Sequence, residues 1–281
     1  MAQHFHNKKV STFFMLAFFF CLNPAKADSL LTIVIDDIGH SYKYGSKALS
    51  LPGNLTYALL PYSAHAQKLY QIGLTSNKEF ILHSPMQSID NRLITKHTLH
   101  IHMTEKQFAS QLQNQLAQFP FIKGINNHMG SLLTRHAGYM DLLMRELTTK
   151  RNLYFLDSRT SEQSVAIQLA TEHSIPHLSR DVFLDNEPTS DAINRQFDQA
   201  IELSKAQGYA VVIGHPYPAT IKVLSQRIPQ LSESAIKLVT ASTLISRLQE
   251  QANEKSTDTT GTGLRRTGSN HAYRLAQKSR H

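Results

Sequence analysis

The sequence predicts one α/β domain built on a parallel sheet. Short apolar, β-branched runs alternate with stretches of helical periodicity along the body of the chain, and short connections join them. Strands separated by crossover helices in this way lie parallel in one sheet. The strand candidates, in order, are residues 30–35, 54–60, 79–82, 121–125, 152–156, 209–213 and, more weakly, 236–239. The helical stretches between them are 64–74, 105–118, 139–150, 163–173, 192–207 and 219–228. Leu112, Leu116 and Phe119 repeat at helical spacing after Thr104, which caps that helix together with Gln107 at the third helical position; Thr189 or Ser190 caps the long helix after it. Such a sheet is either open and doubly wound or closed as a barrel. No G-x-G-x-x-G motif follows the first strand and there is no phosphate-binding loop, which argues against an open nucleotide-binding sheet.

The ends of the chain read differently from its body. Lys8 and Lys9 precede an apolar run, residues 10–22, that contains five phenylalanines, and Ala25-Lys26-Ala27 follows it. A positive start, a short apolar core and small residues at the cut make a cleavable secretory signal over residues 1–27. The run is shorter than the ~20 residues a bilayer needs, so no stable membrane insertion is expected after cleavage. Cys21 is the only cysteine and leaves with the signal, so the mature chain has no disulfide and no thiol chemistry. The expected destination is the periplasm or the medium. The net charge of +8 resides mostly at the two ends. The signal holds three lysines, and beyond Asn253 six basic residues face two acidic ones, which leaves the body near neutral. Residues 251–281, rich in Ser, Thr and Gly, read as a disordered basic tail after a domain at 28–250. A neutral body in an exported protein makes nucleic acid an unexpected partner.

In parallel α/β folds the chemistry lies at the carboxyl ends of the strands. There the sequence places Asp36-Asp37, then His83-Ser84-Pro85-Met86-Gln87, Asn126-Asn127-His128-Met129-Gly130-Ser131, Asp157-Ser158-Arg159-Thr160 and Gly214-His215-Pro216. One carboxylate and two imidazoles make a three-ligand metal site with room for water and substrate. A second carboxylate then takes the proton of the attacking water, and another histidine protonates the leaving group. Alternation along a strand makes neighbouring side chains diverge, so one of Asp36 and Asp37 is expected to face the metal while the other reaches the water. Each residue also has a purely structural alternative. The aspartates, Asp157 included, suit turn capping, the segment around His128 suits a tight turn, and His215 suits a packed strand end.

These segments resemble the divergent polysaccharide deacetylases, relatives of the NodB-type carbohydrate esterases. The matching pieces are residues 33–39, 82–86, 124–131, 155–158 and 213–216, in the family's order and across nearly the whole domain. The resemblance implies a distorted (β/α) barrel of about seven strands. It implies Asp36 as general base, Asp37 and His83 as metal ligands, and His215 as the acid. One position departs from the pattern: Gln87 stands where ordinary polysaccharide deacetylases place a second metal histidine. The third ligand is therefore expected from His128, with Asp157 a further catalytic candidate. The expected metal is a divalent ion, zinc suiting an Asp-His-His set. The expected activity is hydrolysis of N-acetyl groups on a cell-envelope glycan. The alternative is a barrel that has lost turnover and binds glycan or protein.

Overall fold

The computed structural model describes residues 29–90, 95–149 and 153–259. The expected leader and the end of the expected tail lie outside the described residues. The strands are β1 (Ser29–Ile38), β2 (Thr56–Leu59), β3 (Glu79–Met86), β4 (Gly124–Met129), β5 (Tyr154–Asp157), β6 (His177–Ser179), β7 (Val182–Phe183), β8 (Tyr209–Gly214) and β9 (Ile236–Leu238). The helices are α1 (Tyr42–Leu49), α2 (Ala66–Thr75), α3 (Glu105–Leu116), α4 (Ala137–Thr148), α5 (Ala166–Glu172), α6 (Ser190–Gln207), α7 (Pro218–Arg227) and α8 (Ala241–Thr259). All strand pairs are parallel, in the order β6-β5-β4-β3-β2-β1-β8-β7, with β9 beside the start of β1. Among the described residues β6 and β7 do not pair with each other, so the curled sheet is a barrel left open on one side.

All seven expected strands form, and the sheet adds the short β6 and β7, too brief to carry a periodic signal. Thr104 and Gln107 make the expected capping box on α3, and Thr189 accepts the Ala192 N–H at the start of α6. Leu112, Leu116 and Phe119 are buried. One expectation is corrected. The tail was expected to be disordered from residue 251, but α8 continues to Thr259. Leu244, Ile245 and Leu248 on its first turns pack against the sheet and anchor a helix whose later residues are polar.

The period of two along each strand sorts the apolar side chains into two layers. Leu31, Ile33 and Ile35 of β1 join Tyr57, Leu82, Ile125, Phe155 and Val212 in a large core covered by residues of α1 to α7, such as Leu69, Phe108, Met140 and Phe197. The opposite parity, Val34, Ala58, Ile81, Leu156, Val211 and Ile213, meets Ala241, Leu244 and Ile245 of α8. This second layer is the concave side of the sheet. Continued upward in register, the same inner parity reaches Asp36, His83, Asn126, His128 and His215.

Candidate metal centre and active site

β1 carries the one irregularity that shapes the site. Ile35 lies opposite Tyr57 and Ile38 opposite Leu59, so Asp36 and Asp37 share the space across from Ala58. That is a β-bulge, with Asp37 in the left-handed region at φ 57°. The expectation that the two carboxylates diverge is therefore corrected. The extra residue returns Asp37 to the concave side, so both carboxylates approach the same imidazole. His83 Nε2 lies 3.3 Å from Asp37 Oδ1 and 3.7 Å from Asp36 Oδ2. Gly39 at φ 136° completes the turn; a Cβ there would sit 1.9 Å from Ser63 Oγ, so only glycine lets the loop lie this close to the β2 end.

His83 and His128 stand on adjacent strands, β3 and β4. His128 Nδ1 is 3.0 Å from His83 Nε2 and 3.0 Å from Asp37 Oδ1. One donor atom from each of Asp37, His83 and His128 lies within 4.8 Å of the others. The chemistry of this set fits a divalent metal. Asn126 Nδ2 donates to Asp36 Oδ1 at 2.8 Å and to Ser158 Oγ at 3.2 Å, so its Oδ1 is the atom facing His83 Nδ1 at 2.8 Å. His83 therefore carries its proton on Nδ1 and turns the lone pair of Nε2 toward Asp37 and His128. Asp37 Oδ1 is buried and accepts no well-angled hydrogen bond, although two imidazole nitrogens stand beside it. Buried acceptors are seldom left so, and a cation between the three donors satisfies all of them.

The electrostatics separate the two aspartates. Burial pushes Asp36 above the ordinary carboxylate value, against the opposing pull of His83, His215 and Asn126. Burial raises Asp37 as well, but the close approach of His128 and His83 to its Oδ1 outweighs it and holds this carboxyl far below that value. Of the pair, Asp36 is therefore the more readily protonated and Asp37 the one held as an anion.

Across the concave side, His215 follows β8 with its Nε2 4.0 Å from Asp37 Oδ2. Its Nδ1 lies 2.9 Å from Asp185 Oδ1. Asp185 Oδ2 also accepts the His215 N–H at 2.6 Å and the Thr220 hydroxyl at 2.7 Å. This buried carboxylate fixes the ring and leaves Nε2 toward the site. Burial alone would lower the His215 pKa, but Asp185, with help from Asp36 and Asp37, raises it to about 9. Sequence reading missed Asp185. Its signal was present, an aspartate directly after the apolar Val182-Phe183-Leu184, but the strand before it has only two residues.

Two further positions have other roles. Asp157 has the outer parity, as Phe155 does, and its Oδ1 accepts the Arg159 N–H at 2.8 Å. It has the turn-capping arrangement and is not drawn into the cluster of Asp37, His83 and His128. Gln87 is buried and its Oε1 accepts the Ile101 N–H at 3.0 Å, so it braces the loop after β3.

The model of the divergent polysaccharide deacetylases matches residues 33–245. The chain belongs to this family. It is 35% identical over 219 residues to the uncharacterized protein YibQ of Escherichia coli K12, covering 78% of this chain and 68% of that protein. An uncharacterized protein of Haemophilus influenzae is 35% identical over 213 residues, covering 76% of this chain and 75% of that one. The crystal structure of protein ATU2773 of Agrobacterium tumefaciens superposes with a TM-score of 0.75 at 24% identity, over 78% of this chain and 90% of that one, and shares the fold. The expected barrel of the family is met, and its matched span holds every residue of the cluster described above.

Proposed function

We propose that this protein is a periplasmic, zinc-dependent hydrolase that removes acetyl groups from an N-acetylated glycan of the cell envelope. The observation that best supports this reading is the convergence of Asp37, His83 and His128, with Asp36 on one side and His215 on the other. A divalent metal held by those three donors supplies a polarised carbonyl and a more acidic water. Asp36, raised by burial, takes the proton of the attacking water as its oxygen adds to the acetyl carbon. The C–N bond then breaks, and His215, still protonated at neutral pH, delivers a proton from Nε2 to the departing amine nitrogen. Asp185 holds Nδ1 and stabilises the imidazolium between turnovers. The products are acetate and a free amino sugar. The sequence pattern of an export signal at residues 1–27 supports the periplasmic part of this reading.

Elemental analysis of the chain from Asp28 to His281, purified without chelator, tests the reading. About one zinc per chain is expected from the three-donor site, with release of acetate from N-acetylglucosamine oligomers. His128→Ala is expected to lose the metal while the chain stays folded. Stoichiometric metal in that variant would overturn the ligand set. A chain that takes up no metal even with added zinc would favour a binding barrel, the reading that Gln87 in place of a second metal histidine supports.

A further inference from the structure

The barrel is left open between β6 and β7, and the two residues that join those strands bridge the opening. β6 pairs with β5, and β7 pairs with β8. Between them stand Arg180 and Asp181. Asp181 fastens the β8 side: its N–H donates to the Val211 carbonyl at 2.8 Å, and its Oδ2 accepts the Val211 N–H at 2.8 Å. Arg180 fastens the β5 side. Its N–H donates to the Asp157 carbonyl at 3.0 Å, its Nε to the Ser158 carbonyl at 2.7 Å and its Nη2 to the Arg159 carbonyl at 2.9 Å. One residue thus takes three successive carbonyls at the exit of β5. Arg159 lies in the left-handed region at φ 49°, which a non-glycine residue seldom adopts without outside contacts. Its carbonyl is held by Arg180 and its N–H by Asp157.

Both sides of this bridge lead to the cluster. Ser158 Oγ accepts Asn126 Nδ2 at 3.2 Å, and the Ser158 N–H donates to Asn127 Oδ1 at 2.9 Å. Asn126 in turn holds Asp36 and faces His83. On the other side the guanidinium lies 5.0 Å over the Phe183 ring, which stands 5.7 Å from the His215 ring. A guanidinium suits this double task. Its planar fork donates to two carbonyls at once while its face rests on an aromatic ring. An ammonium carries the charge but has neither the fork nor the plane.

We propose that Arg180 is a positioning residue for the deacetylation: it closes the barrel by side-chain contacts where strand pairing stops, and so keeps Ser158 against Asn126 and Phe183 against His215. Asp36 and His215 then hold their places on either side of the reacting carbonyl. Arg180 acts through these neighbours, not on the substrate. This inference rests on the deacetylase reading and adds to it a residue that keeps the proton-transfer groups in register.

The test measures kcat and KM for acetate release from N-acetylglucosamine oligomers by the zinc-loaded chain from Asp28 to His281, with zinc content and urea midpoints followed alongside. Arg180→Met and Arg180→Lys are each expected to lower kcat by about 10–100-fold at full zinc occupancy with KM unchanged, because a shift of reacting groups by about 1 Å costs up to roughly that much. Ser158→Ala is expected to reproduce part of the loss. The Arg180→Met, Ser158→Ala double variant is expected to lose less than the product of the two single losses, because both break one path. Arg180→Lys, the milder change, carries this cycle if the methionine chain does not fold. Wild-type kcat in Arg180→Lys would show that charge suffices and would overturn the role. So would an Arg180→Lys loss explained wholly by unfolded protein or missing zinc, or single losses that simply multiply in the double variant. A wild-type chain that releases no acetate would overturn the deacetylase reading itself, and this role with it.

Discussion

Asn126 and Asp185 hold His83, Asp36 and His215 in place, and neither was among the expected site residues. Asn126 uses its amide to set the His83 tautomer and to hold Asp36. Replacing it with alanine leaves a buried N–H and a carboxylate oxygen unpaired. Asn126→Ala is expected to weaken zinc by about 10–100-fold, read by competition with a chelating dye. Asp185 acts through His215. His215→Ala is expected to cost ~10²–10⁴-fold in kcat with zinc content unchanged. Asp185→Asn removes the main partner that lifts the His215 pKa from 6.5 to about 9, so the alkaline limb of the pH–rate profile is expected to move to lower pH. The sign for stability follows from the same shift. A histidine whose pKa rises on folding contributes stability that is fully present below about pH 6.5 and is lost as the pH passes 9. Urea midpoints of wild type and Asp185→Asn should therefore converge above that pH; an equal gap at all pH values would contradict the pairing.

At the level of elements, the bulge in β1 is the feature on which the site depends. Strand runs, helical periods and the caps at Thr104 and Thr189 were legible because each is a local property of a few neighbouring residues. The bulge was not, because it is defined by the register of β1 against β2, a relation between distant segments. Strict alternation sent Asp37 to the outer layer; one extra residue brought it back. For Asp157 alternation held and carried the side chain away from the cluster. Gly39 keeps the end of the bulge in place. Gly39→Ala adds a Cβ against Ser63 and a side chain at φ 136°, and is expected to cost about 1–3 kcal/mol of stability in urea titrations while also weakening zinc. An undiminished metal affinity in this variant would show that the loop position does not matter.

The whole molecule divides into two poles. The carboxyl ends of the strands carry the strained and charged residues; the amino ends are fastened by Glu79. This carboxylate accepts from the Thr56 hydroxyl at 2.7 Å, the Tyr154 hydroxyl at 3.0 Å and the Ser242 N–H at 3.2 Å, and also from the Ser242 hydroxyl. It thereby joins β2, β3 and β5 to the start of α8. Glu79→Ala is expected to lose roughly 2–4 kcal/mol of stability, because several part-buried donors lose their partner, with zinc stoichiometry and kcat unchanged. A loss of activity at full occupancy of the folded state would mean that the two poles are coupled.

The sequence alone determined seven of the nine described strands and six of the eight described α-helices in their order, the family and the identities of the three converging metal-ligand candidates, because apolar period and residue chemistry are written in the chain. Tertiary structure decided which carboxylate faces which imidazole, that Asp185 stands behind His215, and that Gln87 and Asp157 brace loops. These depend on strand register, burial and partners brought together from distant segments, and no local pattern encodes them.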